Sequence, residues 1–192
     1  IYDATCPLVK KLHHAVQNCH GNLIIYGHAN HPEVIGILGR SSARRNFVVQ
    51  SLAEARNFAG TGNDLPVTAV SQTTVNAEEA EQVFAVLKQQ IPHLQIIPGV
   101  CYATGERQLA VRQLCQKVDI FLILGSPRSS NSNRLREIAE ECGVKAFLIN
   151  HLAELPLSEL RQARKIGHSA GASAPDELLQ TTYQFLQKEF IL

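Results

Sequence analysis

Gly27-His28-Ala29-Asn30-His31-Pro32-Glu33 gathers two imidazoles and a carboxylate directly after a short apolar run. A metalloprotease-type zinc site needs two histidines four apart on one helical face, and this spacing does not supply them. The residue types suit a His31 that binds an anion and a Glu33 that delivers protons; hydrogen bonding within a turn is the alternative. Ser129-Ser130-Asn131-Ser132-Asn133 stands between a buried strand and a helix, where hydroxyls, an amide and unpaired backbone N-H groups converge as a phosphate would require. No Walker lysine accompanies it, and plain N-capping explains Ser and Asn equally well. Thr73 and Thr74 follow a strand, and Ser173 with Asp176 has the spacing of a capping box. Cys6 and Cys101 sit in turns before helices, where the helix dipole favours a thiolate or an anionic cluster; a buried structural role is the alternative. Cys19, Cys115 and Cys142 fall on apolar helical stripes and read as small core hydrophobes.

The elements that must position these residues follow from periodicity. Val9, Leu12, Val16 and Cys19 recur at helical steps, and Asn22 to Gly27 is an apolar strand. Val34 to Leu38 is an apolar stretch, and Phe47 to Gln50 and Pro66 to Val70 read as further strands. Asn76, with Glu79 three residues on, caps a helix that carries Ala80, Val83, Phe84, Leu87 and Ile91 and stops at Pro92. After the Pro98-Gly99 turn a helix runs through Ala110, Leu114 and Cys115, followed by the strand Val118 to Leu124 and Gly125. A helix with Leu135, Ile138, Ala139 and Cys142, strands at Lys145 to Ile149 and around Ile166, and a last helix complete the chain.

The order of parts repeats, so the fold class is α/β, with two similar units, 2–98 and 99–192, each a parallel sheet flanked by helices. Ligands of such sheets collect beyond the carboxyl ends of the strands, and the unusual polar residues all fall there. The 192 residues carry 18 Lys and Arg against 17 Asp and Glu, with no basic block, which argues against a nucleic-acid partner. No apolar run approaches the ~18 residues of a membrane span. The chain lacks methionine, which implies a fragment or a processed product. Five cysteines without a Cys-x-x-Cys pair suggest reduced thiols in a cytosolic compartment.

Six motifs stand in one order: DATCP (Asp3 to Pro7), GHANHPEV (Gly27 to Val34), SQTT (Ser71 to Thr74), CYAT (Cys101 to Thr104), SSNSNRL (Ser129 to Leu135) and AGASAP (Ala170 to Pro175). Together, over nearly the whole chain, they resemble the 4-hydroxy-3-methylbut-2-enyl diphosphate reductase family, which completes the non-mevalonate isoprenoid pathway. The resemblance implies three pseudo-threefold α/β units around a 4Fe-4S cluster, this chain being similar to the second and third. It implies Cys6 and Cys101 as two of three cluster ligands, the third lying upstream of Ile1 in a missing N-terminal unit with two diphosphate-binding histidines. His31, Thr74, Ser129, Ser130, Asn131 and Ser173 would then hold the substrate diphosphate. Glu33 would be the proton donor, and Thr73 the hydroxyl orienting it and the substrate alcohol. The implied electron donor is a ferredoxin or flavodoxin, and the implied location a bacterial cytoplasm or a plastid. Two departures are Gly105-Glu106-Arg107-Gln108, where the family commonly has Thr-Asn-Arg-Gln, and Asn30 in place of a frequent glycine. On this reading the 192-residue chain is inactive alone. The competing class is a non-catalytic module that binds a diphosphate or nucleotide at the same elbows and carries no cluster.

Overall fold

Runs of five apolar or small residues, too short for a helix and rich in branched side chains, form the central strands. The computed structural model describes residues 5–62 and 64–190, so Asp3 and Ala4 of the first motif lie outside the described residues. In the first compact unit, which ends at Cys101, β1 (Asn22–Tyr26) and β3 (Val67–Ser71) are buried throughout. With β2 (Arg45–Val49) and β4 (Gln95–Ile97) they make an all-parallel sheet in the order β2-β1-β3-β4. Tyr26 is level with both Val49 and Ser71, so three strands end at one edge.

Side chains alternate across that sheet. Leu23 and Ile25 pack with Leu12 and Val16 of α1 (Pro7–Gln17) and with Val34 and Ile37 of α2 (Pro32–Arg40). Ile24 and Tyr26 face the other way, onto Ala55 of α3 (Leu52–Arg56) and Val83, Phe84 and Leu87 of α4 (Ala77–Gln90). Each such fully buried aliphatic side chain contributes about 1.5–3 kcal/mol. The apolar stretch from Val34 to Leu38 lies in α2: His31 caps it and Pro32 occupies its first turn.

The second compact unit begins at Tyr102. Here β5 (Ile120–Leu124) lies between β6 (Lys145–Ile149) and β7 (Ile166–Ala170), again all parallel. Phe121 and Ile123 pack against α5 (Tyr102–Cys115) and α6 (Ser130–Glu141). Leu122 and Leu124 pack against α8 (Asp176–Phe190) and the short α7 (Leu157–Leu160). The order β6-β5-β7 repeats β2-β1-β3, and Gly27 and Gly125 follow the two central strands at matching positions. The expected α/β class with parallel sheets flanked by helices is what the chain adopts.

Two helical faces differ from expectation. In α5 the buried positions are Thr104, Gln108, Val111 and Cys115, whereas Ala110 and Leu114 are exposed. Cys142 is the C-cap of α6 and is exposed, because the chain turns away at Gly143 before that position can enter the core. No helix among the described residues is long and apolar enough to cross a membrane.

Candidate functional site

The loop after β1 is held from both sides. Gln72, buried at the end of β3, accepts a hydrogen bond on Oε1 from the His28 N-H at 3.2 Å, and Gln50 Oε1 accepts from the Ala29 N-H at 2.9 Å. The chain then enters α2 with His31 as N-cap, its Nδ1 accepting from the Glu33 N-H at 3.2 Å. That bond leaves the proton on Nε2, so a neutral His31 presents a donor to an anion. Burial, and secondarily the neighbouring His28, hold its pKa below the usual 6.5.

Glu33 is reached from 40 residues away. The Thr73 backbone N-H donates to one carboxylate oxygen at 2.9 Å and the Thr73 hydroxyl to the other at 3.0 Å. Burial raises the Glu33 pKa above 4.5, and the two Thr73 bonds oppose that rise. The carbonyl of the same threonine accepts from the Cys101 N-H at 3.1 Å. Gly99 makes this return possible, because a Cβ there would collide with the Ser71 carbonyl as the chain doubles back beside β3. One hydrogen-bonded chain thus joins Glu33, Thr73 and Cys101. Thr74 stands next to it, its hydroxyl accepting from Gln72 Nε2 at 2.8 Å. Gln72 is a supporting residue that the sequence reading missed; the signal was a Gln directly before two threonines at a strand end.

Cys6, the exposed N-cap of α1, makes no side-chain capping bond. The hydrogen-bonded chain of Glu33, Thr73 and Cys101 does not include Cys6. Two thiols that met would be a partial donor set for an iron-sulfur cluster, whose ligands are thiolates. Among the described residues no group of three or more His, Cys, Asp or Glu is placed to hold a metal ion.

The second unit holds the remaining candidates, described by themselves. Ser129 caps α6, its Oγ accepting from the Ser132 N-H at 3.3 Å, so the capping alternative holds for that hydroxyl. Ser130 is half-buried, while Asn131 is 6% exposed with both amide atoms lacking a partner. An unsatisfied buried amide costs about 1–3 kcal/mol, which a bound polar ligand would offset. Ser173 lies exposed in the turn after β7, and α8 starts at Asp176 behind Pro175, so Ser173 is not its N-cap. The helices behind Cys6, Cys101 and Ser129 carry no acidic residue in their first turn, unlike α2, α4 and α8. Their amino ends therefore keep their partial positive charge for an anion.

A model of the LytB protein family matches residues 1–187. The chain belongs to that family. Among LytB relatives it is 41% identical over 190 residues to the 4-hydroxy-3-methylbut-2-enyl diphosphate reductase of Desulfotalea psychrophila, covering 97% of this chain and 60% of that one. It is 39% identical over 196 residues to the reductase of Wigglesworthia glossinidia brevipalpis, covering 97% and 61%. A solved structure of the Plasmodium falciparum E-1-hydroxy-2-methyl-but-2-enyl-4-diphosphate reductase matches with a TM-score of 0.86 at 31% identity, covering 98% of this chain and 60% of that one. The chain thus spans about 60% of the length of these LytB relatives.

Proposed function

We propose that this chain supplies two of the three α/β units of a 4-hydroxy-3-methylbut-2-enyl diphosphate reductase. The reaction removes the allylic hydroxyl of the substrate as water, consuming two electrons and two protons and giving isopentenyl and dimethylallyl diphosphates. The observation that carries the proposal is Glu33, a half-buried carboxyl held by Thr73 on the edge that also bears Cys101. Hydroxide is a poor leaving group, so a proton must reach that oxygen as the carbon-oxygen bond breaks. Burial keeps the Glu33 proton bound to higher pH, and the Thr73 hydroxyl fixes the direction in which the carboxyl faces. Cys6 and Cys101 would hold a 4Fe-4S cluster, completed by a cysteine from the remainder of the protein. Such a cluster, when bound, supplies electrons one at a time, drawn from a ferredoxin or flavodoxin. His31, Thr74, Ser129, Ser130, Asn131 and Ser173 bind the diphosphate, with Asn131 bringing two unsatisfied amide atoms and His31 its Nε2-H. The location proposed is a bacterial cytoplasm.

Glu33→Gln in the full-length enzyme tests the reading. The amide keeps the shape but has no proton to give, so turnover should fall about 10²- to 10⁴-fold while diphosphate binding persists. Substrate reduction at the wild-type rate would remove Glu33 from the mechanism.

A further inference from the structure

The cysteines that the reductase reading leaves aside include a pair. Cys115 ends α5 and Cys142 caps α6, two helices packed on the same face of the second sheet. The two residues line one cavity of about 350 Å³ with Arg112 and Gln116. Cys142 is open to solvent, whereas Cys115 is 7% exposed. Among the described residues no group of three or more His, Cys, Asp or Glu is placed to hold a metal ion, and the paired thiols suit two-electron sulfur chemistry.

We propose that Cys115 and Cys142 form a peroxide-sensitive dithiol, in which Cys142 is oxidised first and Cys115 closes a disulfide onto it. The peroxide transfers one oxygen atom to the Cys142 sulfur, giving a sulfenic acid and releasing water, or an alcohol from an organic peroxide. The Cys115 sulfur attacks that sulfur, the S-S bond forms, and the departing hydroxide leaves as water with the Cys115 proton. The dithiol loses two electrons and the peroxide gains them. The order follows from exposure, supported by ionisation. Burial, followed by the contact with Cys142, pushes the Cys115 thiol up to about 11, so at pH 8 only about one Cys115 in a thousand is a thiolate. Cys115 is thus a poor first target for peroxide and a well-placed second partner.

The test uses the full-length protein, reduced, exposed to hydrogen peroxide near neutral pH, blocked with N-ethylmaleimide and digested with trypsin. Peptides 113–117 and 137–145 should appear joined, and dithiothreitol should separate them. Recovery of both peptides alkylated and unlinked after oxidation would overturn the proposal. In Cys142→Ser, an exposed and structurally mild change, Cys115 should react with peroxide at least about tenfold more slowly than Cys142 does in the wild type. Equal rates would overturn the assigned order. In Cys115→Ser, dimedone should trap a sulfenic acid at Cys142; no adduct there counts against the pair. A link between Cys6 and Cys101 would bear on the cluster ligands alone, so the two readings fail separately.

Discussion

Glu33 carries a proton that the fold itself makes harder to lose, and this has a consequence for stability that is independent of turnover. Its pKa is raised in the folded chain by burial, against the two Thr73 bonds. The native state therefore holds the proton over a window where the unfolded chain has released it. The stability linked to that proton is complete below the unfolded value of 4.5 and is lost as pH rises through the folded one. Glu33→Gln has no such titration, so urea unfolding should show wild type losing ground to the variant as pH rises above 4.5. A pH-independent difference between them would mean that Glu33 is no less acidic in the fold than in the unfolded chain. His31 separates capping from binding in a similar way. Its Nδ1 caps α2 while its Nε2-H is the group offered to an anion. His31→Asn keeps a strong capping side chain but removes the distal donor. Unfolding midpoints should stay close to wild type, while KM in the full-length enzyme rises about 10- to 100-fold, the worth of one hydrogen bond to a charged group.

At the scale of elements, the link from β4 to α5 decides whether Cys101 reaches Thr73. Gly99→Ala would drive a Cβ into the Ser71 carbonyl, so the loop must shift, at a cost of about 1–3 kcal/mol. Gly105, inside α5, has no atom near the position a Cβ would take, so Gly105→Ala should stabilise by up to about 1 kcal/mol. Denaturant midpoints that move in opposite directions for the two variants would bear this out; equal shifts would count against it. The same elements explain what was legible in the sequence. Strands β1, β3 and β5 announce themselves because they are buried on both faces: β5 reads as an unbroken apolar run, and β1 and β3 as short runs broken only by Asn22, Thr68 and Ser71. Helix α4 is legible from its Asn76 cap and single apolar face. Helix α5 misleads because its buried face includes Thr104 and Gln108, leaving the apolar Ala110 and Leu114 outside. Strand β4 and helices α3 and α7, of three to five residues, are too short to show a period. Glu33 and Thr73 are each recognisable by type, yet their meeting across 40 residues depends on β1 and β3 being neighbours, which no local pattern encodes.

Across the molecule, the cores keep to their own units. The two clusters of the first unit draw only on residues before Cys101, and the two of the second only on residues after Tyr102. The repeated order of sheet and helices puts α2 and α6, with their polar amino ends, behind equivalent strands, so each unit offers its candidate binding groups on its own scaffold. Damage to one core should then be local. Leu122, fully buried in β5, packs only within the second unit. Leu122→Ala should remove about 2–5 kcal/mol by deleting buried methyl groups and leaving a cavity. Amide exchange in β5, β6 and β7 should accelerate accordingly, while β1 and β3 keep their protection and with it the Glu33-Thr73 pair. A uniform loss across both sheets would show that the units unfold as one, and a stability change outside the second unit would place part of the first unit's support where its own core does not.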